Sequence, residues 1–340
     1  MNTSEGTVAK FISLLAFVLL LCSCSQAPVE THLTGNTMGT TYNVKFVNPG
    51  NVDEQPLHDK IDALLVNVNK LMSTYDPQSE LSRFNQWHSK EPFALSPQTL
   101  IVMREAKRLG ELSHGVLDVT VGPLVNLWGF GPDAKPEKRP SEQVIAQVKG
   151  RTGLDKLHLL DNGAQKTESD LYVDLSTIAK GYGVDVVAEL LDAQGLHDYL
   201  VEIGGEMRVA GHKATGDQWR IAVEKPISSE RSVLEIISIG NNAIATSGDY
   251  RNYFEEQGVR YSHLIDPRTG SPINHNLVAV TVVHPSSMTA DGLATALIVM
   301  GKEAALALAE KNALAVLLIT KENGEFKEYT TTWFRPYINH

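Results

Sequence analysis

An α+β fold, built as one compact unit over residues 31–340, is predicted by three features of the sequence. Strand-like stretches come in meandering runs and not as strict βαβ repeats, which argues against a doubly wound sheet. Amphipathic helices of ten to twenty residues interrupt those runs. No internal repeat, low-complexity tract or obvious linker divides the chain.

Thr41–Val47 alternates like a strand. Leu57–Met72 places Ile61, Leu64, Leu65, Val68 and Leu71 at helical spacing, and Pro97–Leu112 repeats the pattern behind Ser96, a good N-cap. Residues 131–140 form a Pro- and Lys-rich loop, and Ser141–Lys149 a short helix. Tyr172–Leu175 reads as a strand running into a helix that ends near Leu191, with Ser176 or Thr177 as its cap. Tyr199–Ile203 and Met207–Ala210 flank a Gly204-Gly205 turn. Further strands are expected at Trp219–Val223, Leu234–Ile239, Ala243–Thr246, Val278–Val283 and Ala315–Thr320. Helices are expected from about Ala290 to Met300 and onward through Lys311.

The chain has 340 residues, 42% apolar and 21% charged, enough to bury a sizeable core. Its net charge of −10, with no basic stripe, speaks against nucleic-acid binding. Phe11–Leu21 is an apolar run too short to span a bilayer comfortably, and it resembles the h-region of a secretory signal. It ends in Leu21-Cys22-Ser23-Cys24, which contains the two cysteines of the chain and resembles a bacterial lipobox. A disulfide between Cys22 and Cys24 would staple nothing in the mature domain. The expected organisation is therefore a signal peptide over 1–23, a tether over 24–30 lipidated at Cys24, and the folded domain beyond. That places the domain on the periplasmic face of a bacterial membrane, with neither disulfide nor thiol chemistry of its own.

P-loop, HExxH and Gly-x-Ser-x-Gly motifs are absent, and Gly181-Tyr182-Gly183 lacks the spacing of a dinucleotide loop. What remains are polar clusters where strands hand over to helices or turns. In 173–183, Asp174 and Lys180 fall near a helix start, whose free N–H groups attract anions. Two glycines inside that helix cost roughly 1 kcal/mol each against alanine, which a close backbone approach would explain. In 285–296, Asp291 and Thr295 are four apart on one helix face, an oxygen-only pair suited to Mg²⁺. In 261–270, His263 precedes an Asp266-Pro267-x-x-Gly270 turn, and histidine is the side chain best poised for proton transfer near neutral pH. Taken singly, each has a plain structural alternative: an ordinary capped helix, a carboxylate complementing a helix dipole, a structural histidine.

Together with five further motifs, these clusters resemble the ApbE family, the FAD:protein FMN transferases, over nearly the whole mature chain. The further motifs are Met38-Gly39-Thr40-Thr41-Tyr42, Met72–Pro77 with Ser79–Asn85, Leu117-Asp118-Val119-Thr120-Val121-Gly122-Pro123-Leu124-Val125, Ile203-Gly204-Gly205-Glu206, and Ala245-Thr246-Ser247-Gly248-Asp249-Tyr250. The resemblance implies that Met38 and Tyr75 flank the flavin ring and that Val116, Leu117 and Asp118 line the FAD site. It implies that Asp174 and Lys180 hold the ribose or pyrophosphate and that the backbone at Ile265 closes over the nucleotide. It also implies Mg²⁺ on Asp291, Thr295 and the Thr177 carbonyl. The implied reaction is attack of an acceptor Thr or Ser hydroxyl on the FMN-side phosphorus of FAD, releasing AMP. His263 is the candidate base, and a route through Asp291 at the metal is the rival. Implied acceptors are flavoprotein subunits of respiratory redox complexes. FAD hydrolysis to FMN and AMP, or a periplasmic FAD carrier without turnover, are the alternative functions.

Overall fold

The computed structural model describes residues 29–131, 139–226, 232–249, 253–256 and 259–338. Cys24 and the Leu21–Cys24 run lie outside the described residues, as does most of the Pro- and Lys-rich loop. Among the described residues no helix is long and apolar enough to cross a membrane.

The strands, in chain order, are β1 (Val29–Thr37), β2 (Thr40–Asn48), β3 (Phe93–Ala94), β4 (Leu157–Leu159), β5 (Gly163–Lys166), β6 (Tyr199–Ile203), β7 (Glu206–Ala210), β8 (Ile221–Glu224) and β9 (Val233–Ile237). They continue with β10 (Ala243–Gly248), β11 (Tyr253–Glu256), β12 (Val259–Ser262), β13 (Ile265–Asp266), β14 (Ser271–Pro272), β15 (Leu277–His284), β16 (Ala315–Glu322) and β17 (Glu325–Thr330). The helices are α1 (Glu54–Met72), α2 (Glu80–Gln86), α3 (Pro97–Leu112), α4 (Gly122–Leu127), α5 (Glu142–Lys149), α6 (Ala179–Ala193), α7 (Ser287–Met300) and α8 (Lys302–Lys311).

The fold is α+β, as the sequence predicts. One antiparallel sheet in the order β1-β2-β6-β7-β10-β15-β16-β17 forms its backbone. Helices α1 and α6 cover the β1–β6 end, where Tyr42, Val44, Phe46, Ile61, Leu65, Val184 and Val201 close one core cluster. Helix α7 lies on the middle strands, with Leu293, Ala294 and Leu297 against Val280, Val282 and Leu318. The opposite face is covered by the β8–β9 pair, through Trp219, Ile221 and Ile237 against Val278, Val283 and Leu317. Burial on both faces explains why β15 reads as an apolar run, broken only by Thr281, without alternation.

Four expectations need correction. Strand β1 begins at Val29 and pairs with β2 from Val29↔Asn48 onward, so it takes in the last two residues of the expected 24–30 tether. Tyr172–Leu175 joins no sheet among the described residues. Its backbone is held by Asn85, which donates to the Val173 carbonyl and accepts from the Val173 N–H, both at 2.8 Å, and by Val119, which accepts from the Asp174 N–H. Helix α6 starts at Ala179, with neither Ser176 nor Thr177 as its cap. Asp174 captures the Ser176 N–H and hydroxyl in an Asx turn instead. Helix α7 starts at Ser287, capped by Ser286, so Asp291 stands in its second turn and not at its free N-terminus.

Candidate active site

The β1–β2 hairpin closes through a two-residue loop, Met38-Gly39, with φ of 48° and 71°. Both residues are left-handed, as a tight hairpin turn requires, and a non-glycine there carries a backbone cost of about 1–2 kcal/mol. The turn carries Met38 over α6, where a Cβ on Gly183 would come within 2.8 Å of its Cε. Met38 lines a hollow of about 600 Å³ together with Tyr75, Ser176, Ala179 and Lys180. Tyr75 is 70% exposed.

A second cavity of about 360 Å³ shares Tyr75, Ser176 and Lys180 with the first. Its lining includes Val116, Leu117, Asp118, Asp174, Thr177, His263, Ile265, Asp291 and Thr295. Of the sequence-predicted ligand and catalytic residues, Met38 alone is absent from this lining, and it faces the adjoining hollow. The two spaces meet along Tyr75, Ser176 and Lys180, so an elongated ligand with one end in each would pass the lysine.

Helices α6 and α7 bring the charged groups together. The Gly181 N–H donates to Asp291 Oδ2 at 3.0 Å, and the helix backbones approach so closely that a Cβ on Gly181 would fall 2.3 Å from the Ser287 carbonyl oxygen. Asp291 is 4% exposed, and burial pushes its carboxyl up to about 7, against the opposing pull of the Lys180 ammonium. Lys180 Nζ sits 2.5 Å from Glu206 Oε1. Burial works against its charge, but Asp291 and Glu206 outweigh that and hold its pKa above the ordinary lysine value. Burial raises Glu206 as well, with Lys180 opposing. Thr295, one turn beyond Asp291, shares a 3.2 Å hydrogen bond with Ser247 of β10.

Among the described residues there is no group of three or more His, Cys, Asp or Glu side chains able to hold a metal. The residues nonetheless fit a magnesium ion that shares a ligand's phosphates. Asp291 is a buried carboxylate that accepts from the Gly181 N–H and has lone pairs to spare, and the buried Thr177 hydroxyl has no hydrogen-bond partner among the described residues.

The remaining residues frame the far end of the second cavity. Asp118, in the loop after α3, accepts from the Thr120 N–H and hydroxyl at 2.8 and 2.6 Å, and burial raises its pKa against those bonds. Asp266 accepts from the Arg268 N–H and Gly270 closes the turn on the Asp266 carbonyl, which fixes Ile265 at the cavity wall. Trp128 Nε1 donates to the Gly270 carbonyl and ties that turn to α4. His263 follows β12 and meets the Phe130 ring edge-on at 6.3 Å.

Three participants were not assigned roles from the sequence. Glu206 sat inside a recognised motif, and the β6–β7 hairpin, closed by Gly204-Gly205, sets it beside Lys180. Ser247 likewise sat inside a motif. Asp185 of α6, whose carboxylate accepts from the Ser287 and Met288 N–H groups at the start of α7, gave no signal beyond its place on the helix.

The sequence profile of the ApbE family matches residues 38–318. The chain is 56% identical over 326 residues to an FAD:protein FMN transferase of Vibrio cholerae serotype O1, covering 96% of this chain and 98% of the relative. It is 47% identical to one of Haemophilus influenzae, covering 94% and 96%. Among solved structures, the flavin transferase ApbE from Vibrio cholerae superposes with a TM-score of 0.86 at 55% identity, covering 91% of this chain and 99% of that one. The apo flavinyl transferase ApbE of Pseudomonas stutzeri gives 0.85 at 38% identity, covering 92% and 98%. With the hairpin turn, the paired hollows and the α6–α7 charge cluster all inside the matched region, this chain belongs to the ApbE family.

Proposed function

We propose that this protein is an FAD:protein FMN transferase that moves FMN from FAD to a Thr or Ser hydroxyl of an acceptor flavoprotein. The observation that carries the reading is the junction of the two hollows at Lys180, with buried Asp291 beside it. The flavin would lie between Met38 and Tyr75, where a thioether and an aromatic face both pack well. The adenosine half would occupy the cavity walled by Val116, Leu117, Asp118 and Ile265. The pyrophosphate would cross Lys180, near Asp174.

The acceptor oxygen forms a bond to the FMN-side phosphorus, the bond to the AMP phosphate breaks, and AMP leaves. His263 takes the hydroxyl proton. Mg²⁺, held by Asp291, Thr295 and the Thr177 carbonyl, would supply neutralisation of phosphate charge. Lys180 adds a fixed positive charge whose orientation Glu206 sets.

Incubation with FAD, Mg²⁺ and an acceptor domain tests this, read by in-gel flavin fluorescence and AMP release. Transfer gives both signals. AMP without labelled acceptor identifies a hydrolase, and FAD binding with neither signal identifies a carrier.

The acceptors we favour are flavoprotein subunits of respiratory redox complexes, reached by a domain anchored through lipidated Cys24 on the periplasmic face. Cys24→Ala should leave an unprocessed or soluble but active protein. A fully processed variant that still fractionates with membranes would refute the anchor.

A further inference from the structure

Helices α6 and α7 cap each other. Asp291 on α7 accepts from the Gly181 N–H at the start of α6. Asp185 on α6 returns the arrangement more fully. Its Oδ1 accepts from the Ser287 N–H at 3.0 Å, and its Oδ2 accepts from the Met288 N–H at 3.0 Å and the Ser286 hydroxyl at 2.7 Å. Arg208 of β7 adds a fourth bond, Nη1 to Oδ1 at 3.0 Å. Gly181 and Asp185 are four apart, as are Ser287 and Asp291, so each pair shares one face of its helix.

The two carboxylates differ in what is left over. Asp291 lines the cavity, whereas Asp185 is 6% exposed, does not line it, and spends both oxygens on these four donors. Nor is Asp185 needed to start α7, because Ser286 already caps it locally by accepting from the Thr289 N–H. What Asp185 adds is the location of that start.

We propose that Asp185 is a positioning residue: it pins the first turn of α7 onto α6 and so sets the spacing of Asp291 and Thr295 from Thr177 and Lys180. The inference rests on the FMN-transfer reading, with Asp291 and Thr295 facing the cation. A carboxylate gripping two helix N–H groups and a hydroxyl of another helix holds rotation as well as distance, which a single contact would not.

The test measures FMN transfer against Mg²⁺ concentration for the full chain, with FAD affinity measured without metal and melting temperature in parallel. Asp185→Asn should raise the Mg²⁺ concentration for half-maximal transfer at least tenfold, while metal-free FAD affinity stays within about threefold. Saturating Mg²⁺ should restore much of its rate. Ser286→Ala, which removes one tie together with the local cap of α7 and leaves the charge untouched, should shift the half-point in the same direction by less. It stands in if Asp185→Asn does not fold. Arg208→Gln removes a bond to the same carboxylate but leaves all three ties to α7. It should lower the melting temperature without moving the Mg²⁺ half-point. The inference is overturned if the half-point stays within twofold of wild type in both Asp185→Asn and Ser286→Ala, or if Arg208→Gln moves it as far as they do. Wild-type protein that transfers no FMN, or does so without metal, overturns the functional reading and this inference with it.

Discussion

Gly181 and Gly183 lie two apart in α6, and adding one methyl group to each should have different consequences. A Cβ on Gly181 would fall 2.3 Å from the Ser287 carbonyl oxygen, 2.6 Å from the carbonyl carbon and 2.7 Å from Met288 Cα. These are backbone atoms of α7, with no rotamer to turn. Carbon–oxygen contacts settle near ~3.3 Å, so the helices must part by about 1 Å. Overpacking of this kind costs typically ~1–3 kcal/mol, against about 1 kcal/mol gained in helix propensity. The net loss should therefore reach up to ~2 kcal/mol, a fall of up to a few °C in melting temperature. Catalysis should suffer more than folding. Parting α6 from α7 separates Lys180 from Asp291, and a misplacement of ~1 Å can cost about 10²-fold in rate. A Cβ on Gly183 meets Met38 Cε at 2.8 Å and Ile203 Cδ1 at 3.2 Å, the ends of flexible side chains. Gly183→Ala should therefore melt within about 2 °C of wild type, with the propensity gain offsetting the repacking. Thermal melts without ligand and single-turnover FMN transfer check both variants. Gly181→Ala melting at or above wild type with normal transfer, or Gly183→Ala doing equal damage, would refute the reasoning.

Met38→Asn should keep the left-handed turn and change stability by no more than about 1 kcal/mol, yet weaken FAD binding severalfold. A drop in melting temperature with unchanged FAD affinity would count against a flavin contact. His263→Ala should bind FAD normally but transfer FMN ~10²–10⁴-fold more slowly, with the deficit shrinking as pH rises and hydroxide replaces the base. Wild-type rates across the pH range would reduce His263 to a structural residue. Asp291→Asn should abolish transfer. In the ligand-free protein, folded Asp291 keeps its proton up to about pH 7, whereas the unfolded chain releases it near ~4. Stability should therefore fall as pH rises through that window, and Asp291→Asn should flatten the fall. Denaturant titrations at several pH values give the answer, and identical pH profiles would sink the burial argument.

Much of the fold was legible because the signals were local. Helical spacing located α1 and α3 to within a few residues, Ser96 caps α3 as its position suggests, and Ser141, read as the first residue of a helix, is the cap of α5. Strand β17 was equally open to reading. Asn323-Gly324, with φ of 52° and 87°, forms the two-residue loop between β16 and β17 and is a strong hairpin signal. The expected strand at 172–175 failed because apolar alternation reports which side chains face the core, not whether a ladder partner exists. Here the partner is the Asn85 amide, remote in sequence.

The sequence by itself determined the residue chemistry: an anion-ready helix start at Lys180, an oxygen pair at Asp291 and Thr295, a histidine beside a rigid turn. Each of these depends on residues within four or five positions of one another. Tertiary structure alone decided their relations. That Asp291 caps α6 and not its own helix, that Glu206 lies against Lys180, and that Asp185 grips the start of α7 all depend on contacts between residues 26 to 110 positions apart. Such contacts follow from how two helices cross on a sheet, at a distance set by the missing Cβ of Gly181. The glycine is visible in the sequence, but the carbonyl it makes room for is not.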